Sequence, residues 1–119
     1  MTREEMRLRT KAYSNRVVKL CMALPNDWVA QTLSKQLLRS GTSVGANYRA
    51  VCRAKSKSDF INKLRIVEEE CDESLFWMEI LVDNELVKAQ RLAPLMKEAN
   101  ELLAIIVSTA KSTRSTLDA

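Results

Sequence analysis

The fold of this chain depends on one stretch of sequence, residues 40–45, which reads SGTSVG. Two glycines in six residues weaken a helix, since each costs about 1 kcal/mol relative to alanine. Read alone, the stretch is compatible with a break in which Gly41 caps the end of a helix. However, the apolar stripe that contains Leu37 and Val44 keeps its helical phase across the glycines. We therefore predict a continuous helix in which Gly41 and Gly45, one turn apart, let a neighbouring helix approach closely.

Outward from this stretch, the hydrophobic periodicity predicts four helices, at about residues 2–24, 27–55, 57–84 and 90–112. Thr2 with Glu5 forms a capping box, residues 56–59 form a second one, and Pro25 ends the first helix. Beyond residue 112 we expect the tail to fray. Because short connections make successive helices antiparallel neighbours, we predict a single all-α domain, an antiparallel up-down-up-down four-helix bundle spanning residues 1–119.

Each predicted helix carries one apolar stripe, which we expect to face the core. The four stripes are Met6, Thr10, Tyr13, Val17, Leu20 and Leu24; Val29, Leu33, Leu37, Ser40, Val44, Asn47, Val51 and Ala54; Phe60, Leu64, Val67, Cys71, Leu75, Met78 and Val82; and Leu95, Ala99, Leu102, Ile106 and Ala110. Asn47 is a polar member of the second stripe. A buried amide must find hydrogen-bond partners, and such a residue can fix the register of a helical core.

The composition argues against several classes of function. The chain has no histidine, so it lacks the commonest general base and the commonest metal ligand, and we predict no enzyme activity, no metal site and no cofactor. Cys21, Cys52 and Cys71 are far apart, and we interpret them as small residues on buried helix faces. No signal peptide and no apolar run long enough for a membrane span are visible, so we expect a cytoplasmic protein without membrane contact.

Charge is unevenly distributed along the chain, although the net charge is only +4. Residues 28–65 contain eight basic side chains and one acidic one, whereas residues 66–86 contain eight acidic side chains and no basic one. The acidic run would need partners from other elements to bind a hard cation or to act as a catalytic carboxylate pair. We therefore interpret it as a solvated face or as the complement of a basic neighbour.

The basic side chains of the second helix fall on one face and predict a nucleic-acid-binding surface. The candidate contacts are Arg39, Arg49, Arg53 and Lys57, with Lys35 and Lys63 at the margins. A similar row on the first helix consists of Arg3, Arg7 and Lys11. Because no aromatic row for base stacking is visible, we expect binding to the backbone of RNA or DNA with little sequence preference. The alternative is that these arginines pair with acids of the third helix or of another subunit, in a protein-interaction adaptor.

Three apolar residues, Phe76, Trp77 and Ile80, lie off the core stripe of the third helix. A helix that is apolar over more than one face is usually buried on both sides. We predict that these residues form an interface between copies of the chain; the alternative is a wider contact within one protomer.

The second and third helices resemble a known family. The segment from Leu38 to Asn47, LRSGTSVGAN, followed by SDFI at residues 58–61 and EEECDES at residues 68–74, is similar to the bacterial four-helix bundle proteins, also called ribosomal RNA intervening-sequence proteins. The resemblance covers nearly the whole chain. It differs after Asn47, where many members continue with an apolar residue, Ala, Glu and Gly, while this chain continues with YRAV at residues 48–51.

The resemblance implies a homopentameric ring. It also implies a relationship to the accessory variability determinant of diversity-generating retroelements, which works with a reverse transcriptase and engages nucleic acid through a basic surface. A protein partner such as a reverse transcriptase, without direct nucleic-acid binding, is therefore the alternative to the nucleic-acid hypothesis.

Overall fold

The computed structural model describes the backbone of residues 1–118 and the side chains of residues 1–116. Within this part of the chain, four helices account for all the regular structure: α1 (Arg3–Met22), α2 (Trp28–Val51), α3 (Lys57–Asp83) and α4 (Ala89–Asp118). They pack side by side into a rod of 52 × 21 × 20 Å. The predicted four-helix, all-α architecture is thus confirmed for the described residues.

Local side chains fix where three helices begin. The hydroxyl of Thr2 accepts a hydrogen bond from the amide of Glu5, and that of Ser56 accepts one from the amide of Asp59, each at 3.0 Å. At the start of α2, the Asp27 carboxylate accepts bonds from two first-turn amides. These side chains satisfy backbone donors that have no partner inside the helix.

Two boundaries differ from the sequence prediction. α2 ends at Val51 rather than near residue 55, because the amides of residues 53 and 54 bond to carbonyls three residues back and tighten the chain into turns. α4 begins at Ala89, within the predicted range, but it continues to Asp118 instead of fraying after residue 112, and Pro94 lies inside it. A proline at this position removes one backbone hydrogen bond near the helix start.

The stripes of α1 and α4 are buried at every predicted position, whereas the buried face of α2 is rotated from its predicted stripe and that of α3 is wider than predicted. In α2, Ala30 and Tyr48 are buried, while Val29 is 40% exposed and Asn47 is half-buried. The Asn47 amide donates to the Ser43 carbonyl of its own helix and so takes no part in the core. The rotation arises because α2 packs against both α1 and α3 and must bury a wider face than one stripe.

α2 is continuous through Gly41 and Gly45, as predicted, and both glycines are buried against α1. A Cβ atom built on Gly41 would lie 2.6 Å from Cγ1 of Val17, and one built on Gly45 would lie 3.2 Å from the carbonyl oxygen of Thr10. Neither glycine has a positive φ. The glycines are therefore required by the close approach of the two helices and not by a turn.

α1 and α4, the first and last helices, pack less closely than the other neighbouring pairs. A bidentate ion pair bridges them: the Arg9 guanidinium donates to Glu98 at 2.7 and 2.6 Å, and also reaches Glu101 at 3.3 Å. The Glu98 hydrogen bonds raise the pKa of Arg9. Among the described residues, no helix combines the length and the apolar character needed to cross a membrane.

Candidate nucleic-acid interface

Basic side chains of α1 and α2 line a groove between these two helices. Arg7 and Lys11 of α1 and Arg49 of α2 surround a depression of about 260 Å³ whose lining includes Gly45. A second depression of about 320 Å³ shares Arg7 and Arg49 and adds Arg53. We call the four cations Arg7, Lys11, Arg49 and Arg53, together with the surface between them, the basic groove.

The groove follows directly from the local sequence. Arg7 and Lys11 are four residues apart on α1, and Arg49 and Arg53 are four residues apart on α2, so each pair forms a row along its helix. The close contact at Gly45 brings α1 and α2 together, and the two rows therefore border the same groove.

The charged side chains that line the groove are all basic. The residues that line its two depressions include no acid. Within the described residues, one carboxylate pairs with a groove cation: Glu4 accepts bonds from Arg7 at 2.9 and 2.6 Å. These bonds raise the pKa of Arg7. Lys11, Arg49 and Arg53 form no ion pair with any acid whose side chain is described.

Two of the six predicted contacts are engaged with acids instead. Arg39 forms ion pairs with Glu70, at 3.1 Å, and with Glu73 of α3. The Glu73 hydrogen bond raises the pKa of Arg39. Lys63 pairs with Asp59 at 2.7 Å, one turn earlier on α3. For Arg39 this is the arrangement that the sequence analysis gave as the alternative, pairing between α2 and α3.

The remaining predicted contacts lie in different places. Arg49 and Arg53 belong to the basic groove, and Lys57 lines a separate pocket at one end of the bundle. Lys35 is exposed and lies outside the groove lining. Arg7 and Lys11 were visible as a row in the sequence, but only the packing of α1 on α2 shows that they join Arg49 and Arg53.

The apolar set on α3 is divided by the structure. Phe76 is 49% exposed and contacts Trp77 edge-on, with ring centroids 5.0 Å apart. Trp77 is half-buried against the core, and its indole N–H donates to Glu73 at 3.2 Å. Ile80 is also half-buried. Trp77 thus has a role inside the protomer, whereas Phe76 presents most of the apolar surface of this set.

Comparison with known proteins identifies relatives of this chain. Residues 5–108 match the family described as 23S rRNA-intervening sequence protein. A crystal structure of a protein of unknown function from the S23 ribosomal protein family of Bacteroides thetaiotaomicron is similar, with 33% sequence identity and a TM-score of 0.86. The similarity covers 93% of this chain and 99% of that one. No protein with a curated description matches the sequence.

Proposed function

This chain belongs to the 23S rRNA-intervening sequence protein family, and we propose that it is a non-enzymatic bundle that binds the phosphate backbone of RNA or DNA through its basic groove. The observation that carries this proposal is the convergence of four cations from two helices along a lining that contains no acid. Each neutralised phosphate releases condensed counterions, which makes such a surface favourable for a polyanion.

The chemistry of the groove favours the backbone over the bases as the ligand. Its lining is hydroxyl, amide and small apolar side chains between the cations, with no aromatic ring on which a base could stack. Arginine donors match phosphate oxygens in bidentate geometry, and Arg49 and Arg53 offer such donors without an ion pair to any acid whose side chain is described. Binding with little sequence preference follows from such contacts.

Fluorescence anisotropy with labelled single-stranded and duplex oligonucleotides, at salt concentrations from about 50 to 300 mM, tests the proposal. Phosphate contacts from the three unpaired cations Lys11, Arg49 and Arg53 predict a slope of log K against log salt of about −2 for a single strand. The double variant Arg49→Gln/Arg53→Gln should flatten this slope by about 1.4. The control Lys88→Gln/Lys97→Gln removes the same charge from exposed positions on or near α4.

Two results would contradict the proposal. One is the absence of any binding at the lowest salt concentration. The other is an equal loss of affinity in the groove variant and in the control, since that would reflect net charge alone.

A protein-interaction adaptor, for example an accessory subunit of a reverse transcriptase, is the second candidate function. It is favoured by one observation on α3, where Glu69, Asp72, Glu79 and Asp83 are exposed and form no ion pair with the described residues. Such a face suits a basic partner surface. The groove variants distinguish the candidates, because an adaptor that uses the acidic face would keep its partner when Arg49 and Arg53 are neutralised.

We also propose that the protein acts as a homo-oligomer, a pentameric ring, with Phe76 and Ile80 at the contact between copies. The exposed ring of Phe76 supports this, since burial between subunits would remove apolar surface from water. A closed ring would present several basic grooves to one nucleic acid and raise its affinity through multivalency.

A further inference from the structure

A pocket of about 420 Å³ opens at the end of the bundle where α1 begins and α4 ends. We call it the end pocket. Its lining comes from α1, from the connection between α2 and α3, from the first turn of α3 and from the last turns of α4: Arg3, Ala54, Lys55, Ser56, Lys57, Phe60, Ser112, Thr113 and Thr116. The volume lies within the range of small-molecule sites in proteins.

Three cations from three different elements meet at the end pocket. The Arg3 guanidinium lies 4.8 Å from the centre of the Phe60 ring, and this cation–π contact holds it in place. Lys55 and Lys57 complete the set, and none of the three pairs with an acid whose side chain the structure describes.

The nearest acid in sequence, Asp59, does not cancel these charges. Its carboxylate accepts bonds from the Lys63 ammonium at 2.7 Å and from the backbone amide of Lys55 at 3.0 Å. The Lys63 hydrogen bond and, second, the Lys55 amide lower the pKa of Asp59, which stays ionised and matched to Lys63.

Hydroxyl groups provide further donors. The Ser56 oxygen accepts a bond from the Asp59 amide, and its hydroxyl hydrogen remains free to donate. Thr113 and Thr116, by contrast, donate to carbonyls of their own helix. Ser56 also caps α3, whose N-terminus adds the positive end of a helix dipole to the three cations.

We propose that the end pocket binds a phosphomonoester, the terminal phosphate of a nucleic-acid strand or of a free nucleotide. A monoester carries a charge of about −1.5 to −2 at pH 7 and three acceptor oxygens, which is more than a backbone diester offers. Three converging cations and a helix N-terminus therefore match the charge of a monoester better than that of a backbone diester. Arg53 of the basic groove directly precedes Ala54 of the end pocket in sequence, so the two sites adjoin. The strand-end form of this inference rests on the proposed function, since it places the rest of the strand in the basic groove.

The test compares one oligonucleotide sequence of about 12 nucleotides with a 5′-phosphate, with a 3′-phosphate and with hydroxyls at both ends. We expect at least one phosphorylated form to bind roughly five- to tenfold more tightly than the hydroxyl form. This preference should disappear in Lys57→Gln and persist in Lys88→Gln, which removes the same charge elsewhere. Both side chains are exposed, and circular dichroism would show that both variants fold.

A second arm uses AMP, with adenosine as its control, and follows backbone amide resonances by NMR. Shifts concentrated at the lining residues of the end pocket with AMP, absent in Lys57→Gln, would support a free nucleotide as ligand. This support would hold even if no oligonucleotide binds, in which case the proposed function alone fails. If oligonucleotides bind with equal affinity whatever their ends and AMP causes no such shifts, the end-pocket proposal is wrong and the proposed function stands. If Lys57→Gln retains the preference for phosphorylated ends and AMP again causes no such shifts, the end-pocket proposal is also wrong.

Discussion

The hydroxyl oxygen of Ser14 on α1 accepts a hydrogen bond from the amide of Gly45 on α2, over 3.0 Å. The same hydroxyl donates to the carbonyl oxygen of Gly41 at 2.9 Å. One serine side chain of α1 thus hydrogen-bonds to the backbone of two α2 residues, Gly41 and Gly45, which are one helical turn apart. The contact fixes the spacing of α1 and α2, and this spacing sets the distance between the two rows of the basic groove.

Enlarging Gly45 should destabilise the bundle. A Cβ at this position would lie 2.8 Å from the Ser14 hydroxyl and 3.3 Å from Cα of Lys11, and backbone atoms cannot rotate away. Overpacking costs about 1–3 kcal/mol, against a gain of about 1 kcal/mol in helix propensity. We expect a net loss of about 1 kcal/mol for Gly45→Ala and of several for Gly45→Leu, measured by urea denaturation. Wild-type stability in Gly45→Leu would show that the helices are not in close contact here.

Gly41 differs because its neighbour is a side chain. A Cβ there would meet the Val17 side chain at 2.6 to 2.9 Å. We expect Val17→Ala to relieve part of the cost of Gly41→Ala, with a coupling of about 1 kcal/mol in a double-mutant cycle. The same Val17→Ala change should not relieve Gly45→Ala. Equal rescue of both glycine variants would contradict this geometry.

Arg39 and Arg49 should differ in their effect on nucleic-acid binding, although both are exposed arginines of α2. Glu70 and Glu73 already neutralise Arg39, whereas Arg49 has no acid in the groove lining. We expect Arg49→Gln to reduce the salt slope by about 0.7 with a single strand, and Arg39→Gln to leave it nearly unchanged. An equal reduction in both variants would mean that the outer face of α2, rather than the groove, contacts phosphates.

Cys71 should make stability fall at alkaline pH. Burial, followed by the charges of Asp72 and Glu98, raises the pKa of its thiol to about 12. In the unfolded chain the pKa of a cysteine thiol is about 8.5. Between these values the unfolded state holds fewer protons, so the free energy of unfolding decreases as pH rises, by about 1.4 kcal/mol per pH unit. The contribution is fully present below pH 8.5.

Denaturation of Cys71→Ala between pH 8 and 11 isolates this effect. The cavity left by the substitution lowers the free energy of unfolding by the same amount at every pH. Only the slope of the free energy of unfolding against pH is therefore diagnostic. The slope should become shallower in the variant, with a remainder from Cys21, Tyr13 and Tyr48, whose pKa values burial also raises. Identical slopes in both proteins would show that the Cys71 thiol titrates normally in the fold.

Phe76→Glu should lower the molecular mass measured by light scattering. We expect the wild type to have a mass several-fold above the 13.5 kDa of one chain. Phe76 is the suitable position because Trp77 is bonded to Glu73 and its replacement would disturb the protomer. Ile66→Glu, at a residue of α3 that is 45% exposed, is the matched control and should leave the mass unchanged. A wild-type mass of one chain would rule out the assembly.

Periodicity was sufficient to predict the helices and the buried faces of α1 and α4. It was less successful for α2, because a helix with neighbours on two sides has no single stripe, and small residues such as Ala30 replace large ones at close contacts. The candidate site shows the same limit. Whether Arg39 meets Glu73 or Arg49 meets Arg7 depends on the register between helices, which single-helix spacing does not contain.

The ion pair of Arg9 with Glu98 has a consequence for synthesis on the ribosome. Most of the other helix contacts join consecutive segments and can form as each emerges, whereas Arg9 must wait for a partner 89 residues later in the chain. Contacts of large sequence separation carry the largest loop-closure cost. We therefore expect a nascent three-helix intermediate with the α4 side of α1 still open. In the folded protein, we expect the contact between α1 and α4 to open first, and amide hydrogen exchange should detect this opening.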